Sequence, residues 1–180
     1  MKTIGLLGGM SWESTQTYYQ LINEGVKDKL GGLHSAKIAL YSVDFHEIEV
    51  HQHRGDWDES GRVLARDARR LEAAGADFLV ICTNTMHRVA PQIEQAIDIP
   101  LLHIADATAE AIIGAGKKKI GLLGTRFTME QDFYRGRLTE RHGLAVLVPD
   151  EPDREIVHRV IYDELCLGKV LDPSRALYVE

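Results

Sequence analysis

The sequence has little of what marks disulfide-stapled, nucleic-acid-binding or membrane-spanning proteins. Only two of its 180 residues are cysteines, Cys82 and Cys166, so a disulfide framework is not expected. Lysines and arginines number 21 against 27 aspartates and glutamates, a net charge of -6, which argues against nucleic acid as a main partner. No apolar run approaches the roughly 20 residues that a membrane-spanning helix needs, so no membrane insertion is expected.

The N-terminal stretch lacks the pattern of a secretory signal peptide. Its apolar run, within MKTIGLLGGMSWES, breaks at Gly8-Gly9 and does not lead to a cleavage site. Two distant cysteines without an export signal predict reduced thiols and a cytoplasmic location. What the sequence does contain is an ordinary globular composition, 44% hydrophobic and 27% charged.

Short apolar runs of strand character alternate with helical stretches. The run DFLVIC (77–82) is typical of a strand buried on both faces of a parallel sheet. Asp56 and Glu59 have the spacing of a helix start, and Gly75 is a helix stop. The alternation predicts an α/β fold with doubly wound, mainly parallel sheets. Further strands are predicted at 2–7, 36–43, 100–104, 118–124 and 144–148, and helices at 12–29, 91–97, 106–113, 128–142 and 153–167.

The pentapeptide IGLLG occurs twice, at 4–8 and 120–124. Each copy ends on glycine and is followed by a serine or threonine and then by a predicted helix. The repeat predicts a duplication into two similar α/β halves, 1–115 and 116–180. A ligand would then bind between the halves, at the carboxyl ends of their strands.

The same repeat predicts that the polar strand end at 82–83 has a counterpart in the second half. The expected position of that counterpart lies beyond Glu180, so the second half is expected to be truncated before its catalytic strand. Cys166 is not the counterpart, because the equivalent position in the first half is Val50.

The stretch CTNTMH (82–87) is the most informative part of the sequence. Here a strand end meets hydroxyl and amide groups suited to a small ligand that bears a carboxylate. From these residues alone, either Cys82 or Thr83 could face the ligand. In the alternative interpretation, Thr83, Asn84 and Thr85 only cap the next helical turn. Cys82 is then a buried small hydrophobe.

Three other stretches are candidates for ligand contact. The glycine turn 8–11 could present backbone N–H groups to an anion, but it lacks the Gly-x-Gly-x-x-Gly spacing of dinucleotide sites. The segment 44–53 holds three histidines without metal-ligand spacing, so no metal site is predicted. Gln52 and Arg54 could reach a ligand carboxylate. Thr125 corresponds to the first glycine turn through the repeat and is a further candidate.

Five stretches together resemble the aspartate/glutamate racemase family, in its branch of broad amino-acid racemases from enteric bacteria. They are MKTIGLLGGMSWEST, CTNTMH, HIADAT, LLGTRFTMEQDFYRGRL and IYDELCLGK, and the resemblance covers the whole chain. It implies two similar α/β domains, a homodimer, and no pyridoxal phosphate, other cofactor or metal. It further implies racemisation of aspartate or glutamate by two acid/base groups, commonly cysteines, on opposite faces of the α-carbon.

The resemblance also implies a set of site residues. The family motif Cys-Asn-Thr-x-His aligns with 83–87, which puts Thr83 at the position of a catalytic cysteine. Because strand side chains alternate, Cys82 then faces away, and it is the alternative if the strand end is bulged. A threonine hydroxyl is a far weaker acid than a thiol, whose pKa is about 8.5, so a racemase faster in one direction is expected. The positions that match substrate contacts are Met10, Gln52, Thr83, Asn84 and Thr85.

The chain departs from the family a second time, because the Gly-Cys-Thr-Glu motif of the other cysteine is not reached before Glu180. The 180-residue chain is therefore expected to be a poor racemase or inactive. A non-catalytic amino-acid-binding remnant is the alternative function, since it fits both Thr83 and the missing cysteine. A related isomerase or decarboxylase and a nucleotide-binding domain are the remaining alternatives.

Overall fold

The computed structural model describes residues 1–179, and none of the helices in that range is long and apolar enough to cross a membrane. The chain divides into two compact units, Met1–His103 and Ile104–Glu180. Both units combine parallel strands with helices, which confirms the predicted α/β fold. The boundary between the units lies between His103 and Ile104, before the helix predicted at 106–113. The pentapeptide repeat predicted a boundary after that helix, between residues 115 and 116. The reason is packing, because this helix buries its alanines in the core of the second unit.

The first unit is built on a three-stranded parallel sheet. Its elements are β1 (Thr3–Gly8), α1 (Trp12–Leu30), β2 (Lys37–Ser42), α2 (Phe45–Arg54), α3 (Trp57–Ala73), β3 (Phe78–Ile81), a 3₁₀ helix (Thr85–Val89) and α4 (Ala90–Glu94). The strand order is β2-β1-β3, and Ile4 in the central strand pairs with Ile38 and Phe78. A first strand with later strands on both sides is the arrangement of a doubly wound sheet.

The core of the first unit lies between the sheet and α3. Leu7, Leu79 and Ile81 on the strands are fully buried, as the apolar run of β3 predicted. On α3, Leu64 and Leu71 are buried and seven residues apart, so they lie on one helical face. The apolar strand and the amphipathic helix therefore account for this core.

Two local signals in the sequence correspond to definite backbone geometry. Gly9 has a φ of +91°, and a Cβ at this position would lie 2.3 Å from the carbonyl oxygen of Val43. Only glycine fits there, because a backbone atom cannot swing away as a flexible side chain can. At the start of α3, the Asp56 side chain accepts a hydrogen bond from the Glu59 N–H at 3.1 Å, which confirms the predicted cap.

The second unit holds a two-stranded parallel sheet. Its elements are α5 (Ile104–Gly114), β4 (Lys119–Gly121), α6 (Arg126–Glu130), a π-helical segment (Arg137–Arg141), β5 (Ala145–Leu147), α7 (Glu151–Asp163), a second 3₁₀ helix (Leu165–Leu167) and α8 (Asp172–Leu177). Ile120 of β4 pairs with Val146 of β5. The core of this unit is formed by Ala105, Ala109, Tyr134, Leu138, Leu144 and Val146.

The apolar run 100–104 was predicted as a strand and is not one. It contributes a single bridge, between Leu79 and Leu101. Pro100 opens the run without a backbone N–H, so it cannot donate to a ladder. The chain then enters α5 at Ile104, which leaves too few residues for further pairing.

The helix predicted at 128–142 is divided into α6 and the π-helical segment. Gln131 adopts an extended conformation, with φ -96° and ψ 151°, and this ends α6. The residue that caps α6 is Thr125, whose side chain accepts from the Thr128 N–H, so the helix begins at Arg126, before the predicted start at 128. Local turn chemistry therefore interrupts a pattern that looked continuous.

Candidate active site

The carboxyl ends of β2, β1 and β3 lie at one edge of the first sheet because the strands are parallel. Three segments leave this edge: the turn 9–11 after β1, α2 beyond β2, and the polar stretch 82–87 after β3. In open α/β sheets this is the edge where ligands bind. The sheet therefore places five predicted site residues at the same edge, on these segments: Met10, Gln52, Thr83, Asn84 and Thr85.

Thr125, the sixth predicted site residue, belongs to the second unit. Its hydroxyl oxygen accepts from the Thr128 N–H at 3.3 Å and lies 3.2 Å from the Thr128 hydroxyl. These contacts give Thr125 a role in capping α6. Its contact with a ligand stays a prediction.

The turn after β1 is held by hydrogen bonds to Thr15. The Gly9 N–H donates to Thr15 Oγ1 at 2.8 Å, and Thr15 Oγ1 donates to the Ser11 carbonyl at 3.0 Å. Gly8 packs so closely that a Cβ there would lie 2.4 Å from Thr15 Cγ2. Met10 joins the hydrophobic core and is 3% exposed. The turn therefore forms a fixed wall at this edge of the sheet.

Cys82 and Thr83 differ in exposure and in chemistry. Cys82 is fully buried, and its N–H donates to the Leu7 carbonyl at 2.9 Å. Burial raises the pKa of the Cys82 thiol to about 12, so very little thiolate forms at neutral pH. Thr83 is partly exposed. A ligand can therefore reach part of the Thr83 surface, whereas the Cys82 side chain has no accessible surface.

The two peptide groups that flank the Cα of Thr83 are each bound by a side chain. Ser14 Oγ donates to the Cys82 carbonyl at 2.7 Å. His87 Nδ1 lies 2.8 Å from the Thr83 carbonyl, and because a carbonyl only accepts, Nδ1 carries the proton. The backbone on both sides of Thr83 is therefore held by groups from α1 and from the 3₁₀ helix.

His87 is itself held in a buried aromatic pair. It is 1% exposed and His103 is 4% exposed. The two ring centroids lie 4.4 Å apart at an interplanar angle of 64°, an edge-to-face arrangement. Packing of this kind fixes the direction in which Nδ1 points.

The remaining predicted contacts have unequal exposure. Gln52, near the end of α2, is 4% exposed, and Thr85 is 5% exposed. Gln52 Nε2 donates to Met86 Sδ at 2.8 Å, which links α2 to the 3₁₀ helix. Asn84 is exposed. Thr83 and Asn84 therefore present the accessible polar surface of this segment.

Three residues in this region were missed as site residues by the sequence analysis: Ser14, His87 and Arg88. The guanidinium of Arg88 stacks over the Trp57 ring, and burial lowers the pKa of Arg88. In a 3₁₀ helix, side chains three apart share a face, so Arg88 aligns with Thr85. Ser14 and His87 fall inside the quoted motifs, but only their contacts reveal what they do.

The histidines of α2 do not form a metal site. His53 makes an ion pair with Glu49 one turn earlier, and His46 is exposed. Within residues 1–179, no group of three or more His, Cys, Asp or Glu side chains is arranged to hold a metal ion.

The solved structures that are more than 30% identical to this chain include two racemase relatives. The chain is 62% identical to a candidate Asp/Glu racemase from Yersinia pestis, with a TM-score of 0.90 over 99% of this chain and 77% of that one. It is 36% identical to an aspartate racemase homologue from Pyrococcus horikoshii, with a TM-score of 0.80 over 94% of this chain and 74% of that one. Both share the fold described above.

Comparison by sequence gives a concordant result. The chain is 27% identical over 148 residues to the broad specificity amino-acid racemase RacX of Bacillus subtilis, a match that covers 82% of this chain and 64% of that protein. The chain thus spans slightly less than two thirds of the length of this curated relative. The profile of the family described as Asp/Glu/Hydantoin racemase matches residues 7–180. The chain therefore belongs to the Asp/Glu/hydantoin racemase family.

Proposed function

We propose that the protein racemises acidic amino acids, aspartate or glutamate, without pyridoxal phosphate or metal. Two acid/base groups act on opposite faces of the substrate's α-carbon, and Thr83 supplies one of them. The observation that carries the proposal is the position of Thr83. It is partly exposed at the carboxyl edge of the sheet, and both of its flanking carbonyls are hydrogen-bonded.

Substrate binding in this proposal uses the polar groups around Thr83. The exposed Asn84 amide can both donate to a carboxylate and accept from an ammonium group. Thr85 adds a hydroxyl next to it. Gln52 and Met10 form the neighbouring walls, where low exposure favours contact with the carbon skeleton over contact with solvent.

The proton chemistry follows from the acidity of the groups. One group removes the α-proton, and the other returns a proton to the opposite face of the carbanion. Thr83 is suited to donating or relaying a proton when hydrogen-bonded, but it is a poor base. Cys82 is the alternative acid/base residue, but its raised pKa and full burial argue against it. An equilibrium constant of one requires equal kcat/KM from the two enantiomers, so we propose that the unequal groups show as unequal kcat values at saturation.

The test is loss of the α-proton NMR signal of L-aspartate and L-glutamate in D₂O. Thr83→Cys is expected to raise the exchange rate, and Thr83→Ala to stop inversion to the other enantiomer, because the group on the opposite face can still exchange the proton that it removes. Cys82→Ala is the matched control beside it, and we expect it to leave exchange largely unchanged. Equal kcat values from L- and D-aspartate at saturation would contradict the unequal roles of the two faces, and a loss of exchange in Cys82→Ala alone would move the role to Cys82.

A non-catalytic amino-acid-binding protein is the second candidate function. It is favoured by a threonine at the position where a thiol would be more reactive. Isothermal titration with L-glutamate separates the two functions, because binding without α-proton exchange identifies the non-catalytic one. The same titration with Asn84→Ala tests the binding residues, and we expect about tenfold weaker binding for the loss of a hydrogen bond to a charged group.

We also propose that the protein is a cytoplasmic homodimer. Neither of its two cysteines forms a disulfide in the described residues 1–179, which fits a reducing compartment. Helix α1 exposes three large apolar side chains on one face, each more than half accessible: Trp12, Tyr19 and Leu30. A two-fold interface would bury the same patch on both copies. Sedimentation equilibrium tests this, and we expect Tyr19→Arg to lower the mass to that of a monomer.

A further inference from the structure

We propose that Ser14 and His87 are positioning residues that jointly set the orientation of the Thr83 side chain. Neither residue needs to touch the substrate for this role. The inference rests on the proposed function of Thr83 and extends it, because it names the residues that hold the acid/base group in place.

The geometry that carries the proposal is the pair of hydrogen bonds on either side of the Thr83 Cα. The peptide group before it is held through the Cys82 carbonyl, which accepts from Ser14 Oγ at 2.7 Å. The peptide group after it is held through the Thr83 carbonyl, which accepts from His87 Nδ1 at 2.8 Å. The two peptide planes determine φ and ψ of Thr83. Holding both planes therefore fixes the direction of its Cα–Cβ bond and, because the favoured χ1 rotamer depends on φ and ψ, restricts its rotamer.

These side chains take over where the sheet stops supplying backbone partners. β3 ends at Ile81, and the bond from the Cys82 N–H to the Leu7 carbonyl is the final ladder contact before the polar stretch. Backbone groups beyond a strand end need other partners. Ser14 and His87 provide them for the next two carbonyls, where the chain bends at residues 82–84 before the 3₁₀ helix.

Both donors are rigidly placed. Ser14 lies in the first turn of α1, directly after the turn that Thr15 binds to Gly9. His87 is buried against His103. Because the partner is a carbonyl oxygen, which only accepts, the proton of His87 is assigned to Nδ1.

The experiment measures the χ1 rotamer of Thr83 and the reaction rate in the same set of full-length variants. Three-bond N–Cγ2 and C′–Cγ2 couplings of Thr83 report the rotamer. Ser14→Ala and His87→Leu each remove one donor. His87→Asn is the conservative variant, because its side-chain amide can occupy the Nδ1 position and donate. Thr17→Ala is the matched control, since it removes a hydroxyl that bonds the Glu13 carbonyl on the exposed side of the same helix.

We expect a single Thr83 rotamer in the wild type, Thr17→Ala and His87→Asn, and averaged couplings in Ser14→Ala and His87→Leu. The rate constant kcat for α-proton exchange should fall about tenfold in the last two, with KM changing less than about threefold, because misplacement of a reacting group mainly affects the chemical step. Unchanged couplings in both Ser14→Ala and His87→Leu would overturn the proposal.

The rotamer and the rate separate this inference from the proposed function. If the wild type shows no exchange, the proposed catalysis fails, and the couplings still decide whether Ser14 and His87 orient Thr83. If His87→Leu does not fold, Ser14→Ala against Thr17→Ala decides the question by itself. A fall in rate with unchanged couplings would count against positioning and would indicate a different role for the two residues.

Discussion

The guanidinium carbon of Arg88 lies 4.1 Å from the centroid of the Trp57 ring. This cation–π contact joins the 3₁₀ helix after β3 to the first residue of α3. It therefore ties the segment that carries Asn84 and Thr85 to α3. The contact lies next to the candidate site and is therefore a direct probe of how firmly that segment is held.

We expect Arg88→Gln to lower the free energy of unfolding by about 0.5–1 kcal/mol, the usual value of a cation–π contact near the surface. Urea denaturation followed by circular dichroism measures it. Arg62→Gln is the matched control, because the Arg62 side chain is 74% exposed and pairs with Glu59 at the surface, where an ion pair contributes close to zero. Equal losses in the two variants would show that the Trp57 contact adds nothing.

Asp106 is the ionic centre of the second unit. It accepts two hydrogen bonds of 2.7 Å from Arg137 and one of 2.8 Å from His142. These hydrogen bonds hold the pKa of Asp106 well below its usual range, and those from Arg137 have the largest effect. Burial acts in the opposite direction, and the hydrogen bond from His142 lowers the pKa further. We expect Asp106→Asn to cost about 1–3 kcal/mol of stability at pH 7.

The pH dependence of this loss has a definite sign. A lowered pKa in the folded state means that the carboxylate stabilises the fold above its unfolded pKa of about 3.9. That contribution disappears as pH falls through the lower, folded-state pKa. The difference in stability between wild type and Asp106→Asn should therefore be constant above about pH 5 and shrink below about pH 4. A difference that grows on acidification would contradict the account.

Gly9 and Gly75 form a matched pair for testing the turn after β1. Both have positive φ, +91° and +88°, but a Cβ at Gly9 would meet the Val43 carbonyl at 2.3 Å, whereas nothing lies within 4 Å at Gly75. We expect Gly75→Ala to cost about 1–2 kcal/mol from the left-handed backbone, and Gly9→Ala to cost about 1–3 kcal/mol more from the clash. Thermal unfolding of both variants measures the two losses of stability. Equal losses would show that a Cβ added at Gly9 does not clash with the Val43 carbonyl.

The two thiols should react at very different rates. Cys82 is fully buried and its pKa is raised to about 12, whereas Cys166 is partly exposed. Because the thiolate is the reactive form, Ellman's reagent should label Cys166 first and Cys82 only on unfolding. Cys166→Ser should then leave almost no reactive thiol in the native protein. Rapid labelling of Cys82 in that variant would show that its site opens to solvent.

Much of the fold could be predicted from residue patterns. The apolar run of β3 predicted a buried strand, and Asp56 with Glu59 predicted the start of α3, because both signals depend on neighbours in sequence. The prediction of a strand at 100–104 was wrong for a physical reason. Pro100 has no N–H to donate to a neighbouring strand, and the chain enters α5 at Ile104 after a single bridge to Leu79. The break at Gln131 was likewise hidden, because a change of backbone conformation there leaves the apolar periodicity intact.

The candidate site shows the same division. By itself, the sequence determined the family, the α/β class and the segment 82–87 that carries the polar groups, because these follow from local composition and motif. Only the tertiary structure decided that Cys82 is buried while Thr83 has accessible surface. It alone also decided that Ser14 and His87 hold the carbonyls beside Thr83. Burial and such hydrogen bonds depend on parallel strand pairing and on the placement of α1, which bring together residues that lie far apart in the chain.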